Sequence, residues 1–446
     1  MNLPAKHTEK LRNGLAMLKA DFSGCTSDTL ATNIRLNNYH GIISTLAQNL
    51  VGPFIGIFAV RLGASNYQIG LLSSAPALVG LIAMIPGAKY VDSRSNKKGI
   101  TAAFMWAHRL FFFLLALIPL FAEDSRATLL VVLIALMNFP GAISNVGWQG
   151  FIANVVPNEK RAAAFADRNR LMNIVGTLAV LTAGRVLDIM PYPLGYSVMF
   201  ALAFVLAIGE IRVFSRLTEL PQNGLAQQAQ DVPWRRFLLN LPRSIAADLK
   251  GLAHQKRFLR FTATSLFFHF AWQAAWPLFT LYQIRELGAN NLWISVLALS
   301  NTGGSLLGYG FWVRYSQRHG SLKTLFTSTL GIFIVPLVYA YSRSLATIAF
   351  FNILTGVIFS GVMLSLFNTL LDMTPEERKT TYIGYYNTAI SASAIAAPLA
   401  GVFMLNLFGY KVAFLVAAAL RLLGSLAFGV VYWIERAEQR KAETET

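Results

Sequence analysis

His269, Trp272, Gln273 and Trp276 follow one another at i, i+3, i+4 and i+7, which puts an imidazole, an amide and two indoles on one face of a helix. Such a face offers aromatic walls with few polar anchors. That chemistry suits an amphipathic or aromatic organic molecule, whereas a sugar asks for more hydrogen-bonding groups. His269 adds a group able to exchange a proton. A plainer use of the same residues stays open: amides inside apolar helices often join one helix to another, at about 0.6 kcal/mol each.

Charge inside apolar runs is the second signal, because a charged side chain at a membrane-helix centre costs about 2.5–3.5 kcal/mol on insertion scales. Arg109 (beside His108), Glu210 and Arg421 all lie within such runs. Arg109 with Glu210 is a candidate coupling pair. Desolvation raises a carboxyl pKa and a neighbouring guanidinium lowers it, so protonation and solute binding can compete. The alternative is a structural pair, or an Arg109 held by backbone carbonyls. The chain contains no His-Glu-x-x-His, Gly-x-Ser-x-Gly or Walker loop and a single cysteine, Cys25. An enzyme, direct ATP drive, a disulfide, a bound metal and a cofactor are therefore not expected.

The elements that must position these residues follow from composition. Of 446 residues, 55% are hydrophobic and only 13% charged, against about 25% in soluble domains; mean hydropathy is +0.50. Continuous apolar runs without period-2 alternation predict helices rather than barrel strands. In the first part of the chain they fall at 39–60, 66–88, 100–121, 127–155, 171–190 and 193–214. In the second they fall at 258–284, 291–313, 323–342, 345–372, 383–407 and 412–434. The predicted fold class is therefore an all-α integral membrane protein of twelve transmembrane helices. The first run begins behind a polar segment and serves as its own insertion signal, unlike a cleavable signal peptide.

Charge placement orients the helices. With the N-terminus inside, thirty of the 38 Lys and Arg residues fall on the inner side and six on the outer. That asymmetry predicts both termini in the cytoplasm and accounts for the net charge of +17 without nucleic acid. Leu11, Leu15, Leu18 and Phe22 form one helical stripe, and Ile245, Leu249 and Leu252 another. Both are expected to anchor at the cytoplasmic interface.

The chain also repeats itself. At an offset of 225, "RLGASNYQIGLL" from Arg61 lies beside "ELGANNLWISVL" from Glu286, with Gln48 facing Gln273 and Phe54 facing Phe279. At an offset of 218, "PNEKR" from Pro157 lies beside "PEERK" from Pro375. Two six-helix halves follow. The expected organisation is a cytoplasmic segment with an amphipathic helix (1–38), a first half (39–215), a linker (216–257), a second half (258–434) and a tail (435–446).

Twelve spans in two halves, with the loop "GAKYVDSRSNKK" from Gly87 after the second span, resemble the major facilitator superfamily. That loop holds Asp92 at the family's acidic place and Lys97 and Lys98 as trailing bases. Ala88 and Ser95 stand where glycines belong, and Gln317 replaces the acid in the second half. The resemblance implies alternating access. It also implies a cytoplasmic latch from Asp92 to bases such as Arg94, Arg161 and Arg168. First and fourth spans of each half should line a central cavity. Gln48, Asn49, Asn138, Asn145, Trp148 and Gln149 are thus expected at a substrate site with Ser360, Asn368 and the His269–Trp276 face. His269 joins Arg109 and Glu210 as a coupling residue.

The expected function is secondary transport of a small organic solute, export favoured, with protons as a possible co-substrate and membrane lipids as surroundings. The expected location is a bacterial inner membrane. A non-transporting assembly factor or receptor on the same scaffold, or a lipid translocator, are the other readings.

Overall fold

The computed structural model describes residues 29–92, 96–155, 158–218, 255–374 and 379–445, which form helices and short joints with no strand among them. The predicted stripes at 11–22 and 245–252 lie outside the described residues. In chain order the helices are α1 (Thr29–Asn49), α2 (Ile55–Arg61), α3 (Asn66–Asp92), α4 (Lys97–Ala116), α5 (Glu123–Val155), α6 (Asn158–Ile189) and α7 (Leu194–Arg216). The second half supplies α8 (Lys256–Gln273), α9 (Trp276–Leu281), α10 (Asn291–His319), α11 (Ser321–Thr329), α12 (Ile334–Tyr341), α13 (Leu345–Met373) and α14 (Lys379–Glu445).

Among the described residues nine helices are long and apolar enough to cross a membrane. One of them, Tyr382–Lys441, has 60 residues. At ~1.5 Å per residue it would run about three times the thickness of a bilayer core. It does not run straight: Gly409 takes φ 73° and breaks α14 into two legs. Lipid is the natural neighbour of the outer surface, where Phe350 is 79% and Leu307 74% exposed.

The repeat is visible in which helices touch. In the first half α3 packs on α5, α4 on α5, α1 on α7 and α4 on α7. The second half matches each pair: α10 on α13, α11 on α13, α8 on α14, and α11 with α12 on α14. The halves meet through α3 on α14 and α6 on α10. Gly63 and Gly288, 225 residues apart, both take positive φ (82° and 65°) in the turns before α3 and α10. A side chain there would be strained, which is why the Leu-Gly-Ala stretch occurs twice.

The first helix of each half is broken midway. α1 ends at Asn49 and resumes through a 3-10 turn, Gly52–Phe54; α8 ends at Gln273 and resumes at Trp276. Pro53 and Pro277 follow the breaks, and each lacks the N–H that would continue the ladder.

Several predicted boundaries shift. α1 begins ten residues before the expected 39, so residues 29–38 are helical and packed. The expected inner loop 156–170 is helical from Asn158. Its polar residues ("NEKRAAAFADRNR") masked a helix that the apolar criterion could not see. Gly304 and Gly308 lie against the α13 backbone at Ile353 and Val357, whereas a Cβ added at Gly52 would meet nothing within 4 Å.

Candidate functional site

Call the end where Thr29 and Glu445 lie the tail end, and the opposite end, with Gly63 and Gly409, the far end. Side chains tie the two halves together at the far end. The Asp188 carboxylate accepts from the N–H groups of Asn291 and Leu292 (3.0 and 2.9 Å) and from the Asn291 side chain (2.9 Å). Tyr196 donates to Asn291 Oδ1 at 2.6 Å. Arg285 donates to Asn66 Oδ1 and the Ala64 carbonyl, and Asn66 donates to Asn406 Oδ1 at 2.6 Å. Ion pairs near the tail end join elements of one half: Arg257 and Arg260 of α8 hold Glu435, and Arg260 also holds Glu438.

A cavity of about 520 Å³ opens beside the break between α8 and α9. Trp272, Trp276, Phe279, Tyr339 and Phe359 form its aromatic wall, and Asn301, Asn352, Gln283 and Thr355 supply polar edges. Pro53 closes it from the first half, at that half's own break. Arg421 also lines it, 1% exposed. Its Nη2 donates to the Trp272 carbonyl at 2.7 Å, just before the break, and its Nη1 to the Ile332 carbonyl at 3.4 Å. The guanidinium sits 5.4 Å from the Phe279 ring centroid, within cation–π range.

The expected solute face is thus divided. Trp272 and Trp276 line the cavity; His269 and Gln273 are buried at 6% exposure and are not among its lining residues. His269 Nδ1 pairs with the Ser265 carbonyl at 2.8 Å. Other expected residues bond to their own helix: Gln48 donates to Ser44 Oγ (2.8 Å), Asn49 to the Thr45 carbonyl (2.9 Å) and Asn138 to the Ile134 carbonyl (2.8 Å). Ser360, fully buried, donates to the Val357 carbonyl at the α10 contact. Asn145 is exposed and Asn368 half-buried, both away from the cavity lining. The side chain of Gln149 lies outside the described residues, as do those of Asp92, Arg94 and Arg161.

Arg109 and Glu210 are brought together. Arg109 Nη2 donates to Glu210 Oε1 at 2.9 Å and to Ser44 Oγ at 3.2 Å, with 6% and 2% of the two charged residues exposed. His40 Nε2 stands 3.5 Å from the same carboxylate oxygen. The His40 ring stacks on Trp148 with centroids 6.1 Å apart, and the Arg168 guanidinium lies 4.6 Å from the Trp148 ring centroid. Arg168 also donates from Nε to the Asn37 carbonyl at 3.3 Å. Arg168 and Trp148 therefore share one buried cluster with the Arg109–Glu210 pair. Sequence reasoning missed Asn37, His40 and Ser44. Their spacing along α1, continued by Gln48, was the available signal, but Asn37 fell in the segment 1–38 assigned to the cytoplasm. It also left Arg421 without a role, because its position on the cavity wall depends on how α14 folds back.

The comparisons with known proteins agree with this architecture. The model of the Major Facilitator Superfamily matches residues 41–308 and 261–446, and the chain belongs to that family. The multidrug resistance protein MdtG of Proteus mirabilis (strain HI4320) is 26% identical over 148 residues. That match spans 32% of this chain and 36% of the length of that protein. The nucleoside transporter NupG superimposes with a TM-score of 0.63 at 14% identity, covering 89% of this chain and 99% of its own. The xylose transporter XylE from E. coli, in its inward-open conformation, gives 0.64 at 12% identity, covering 90% and 95%. Identities this low show a shared fold.

Proposed function

We propose that this protein is a secondary transporter that moves a small amphipathic or aromatic organic solute by alternating access, with export as its direction. The observation that carries the reading is the aromatic cavity at the paired helix breaks, under a far end held shut by bonds between the halves. Binding at a break near mid-membrane, between two repeats that can rock, is how such a scaffold presents a site alternately to each side. The partial likeness to a multidrug resistance protein supports organic solutes and export.

In this reading the halves 39–215 and 258–434 cross the membrane six times each, and the tail end, rich in Lys and Arg, faces the cytoplasm of a bacterial inner membrane. The cavity here then communicates with the cytoplasmic side. Asp92, with Arg94, Arg161 and Arg168 as bases, closes the tail end in the opposite state. Glu210, between Arg109 and His40, is the coupling carboxylate, and a proton there competes with Arg109. His269 is a further coupling candidate.

Purified protein in liposomes, loaded with ethidium or an aromatic acid and given a pH gradient, tests the reading. Gradient-dependent flux that Glu210→Gln uncouples is the expected result. No flux of any solute by folded protein would overturn it.

A further inference from the structure

Each half buries one arginine where its first, third and sixth predicted spans meet, and only one of the two has a carboxylate. Arg109 holds Glu210 at 2.9 Å. Arg421 bonds only to backbone carbonyls, Trp272 and Ile332, and its Nε is buried without a hydrogen-bond partner. The described residues show no ion pair for it, and no Asp or Glu lines the cavity it borders. A carbonyl carries only a partial charge, so a full cation faces an aromatic chamber uncompensated. Buried charges are otherwise paired, and a guanidinium presents a fork matched to an oxyanion.

We propose that the solute is an aromatic organic acid whose carboxylate, or an equivalent oxyanion, pairs with Arg421. This rests on the transporter reading above and names its substrate class. Trp272, Trp276 and Phe359 stack on the ring of the solute, while Asn301 and Asn352 donate to its polar substituents. In the empty cavity the Trp272 carbonyl, beside the helix break, holds the guanidinium; an arriving oxyanion displaces that weaker acceptor. Binding thereby alters the joint between α8 and α9 against α14.

The test holds the ring constant and varies the charge: indole-3-acetate, indole-3-acetamide and tryptamine, in equilibrium binding to the intact purified protein and in liposome flux. The expected result is at least tenfold tighter binding of the acetate than of the amide or the amine. Arg421→Gln should erase that preference, and Arg421→Lys should retain part of it. Equal or tighter binding of the amide or the amine would overturn the proposal while leaving transport intact. So would flux of ethidium without binding of any acid. Loss of flux for every charge state, in protein that unfolds at its normal temperature, would sink the transporter reading with it. Should Arg421→Gln fail to fold, the charge series on the unmodified protein decides alone.

Discussion

Asp188 and Asn291, on opposite halves of the bundle, are joined twice through one oxygen: Asp188 Oδ1 accepts from both the backbone and the side-chain amide of Asn291. The carboxylate also sits at the N-terminus of α10, where the helix dipole favours negative charge. A hydrogen bond to a charged group contributes about 1.5–3 kcal/mol. Asp188→Ala should therefore shift the population toward a far-end-open state by tenfold or more. Maleimide labelling of a Thr280→Cys probe in a Cys25→Ser background checks this, and an unchanged labelling rate would remove the closure role.

The Arg109–Glu210 pair sets a stability prediction. Removing one partner of a buried pair leaves the other charge uncompensated, at about 3–5 kcal/mol. Glu210→Leu and Arg109→Met should each lower the unfolding temperature clearly, and the double variant should recover much of the loss. Thermal unfolding of the three variants in detergent reports the coupling directly.

Two adjacent glycines separate packing from propensity. A Cβ on Gly304 would overlap the Ile353 carbonyl, and one on Gly356 would overlap that of Asn301, whereas Gly303 has nothing within 4 Å. Gly304→Ala should reduce folded yield sharply by forcing α10 and α13 apart. Gly303→Ala should be neutral or raise stability by up to about 1 kcal/mol, the helix preference of alanine. Size-exclusion yield and unfolding temperature distinguish the two.

Among the expected solute residues, the cavity divides strong from weak effects. Trp276, 42% exposed and on the cavity wall, should cost about 1–3 kcal/mol of aromatic-solute affinity when changed to Ala. Asn138→Ala, which loses only a bond to its own helix at Ile134, should leave affinity within twofold. Binding isotherms on both variants read the difference.

Much of this was legible in the chain. The Leu-Gly-Ala repeat at offset 225 located two turns that fold with the same left-handed glycine, since the constraint is local. The apolar runs located helices for the same reason: a backbone in hydrocarbon must satisfy its own hydrogen bonds. The face from His269 to Trp276 was harder. Its four residues form two i, i+4 pairs offset around the helix, and only packing decided that Trp272 with Trp276 lines the cavity while His269 with Gln273 is buried outside its lining. Polar α6 from Asn158 was illegible as helix because apolarity was the criterion.

The sequence alone determined what any segment must do by itself: where the apolar helices lie, the excess of Lys and Arg, the paired glycine turns and the presence of costly charge within apolar runs. Only tertiary structure decided which charges meet. Arg109 and Glu210 are 101 residues apart and become neighbours through α4 and α7, while Arg421 comes to the cavity because α14 turns back at Gly409. Such pairings depend on how helices cross, and no single helix carries that information.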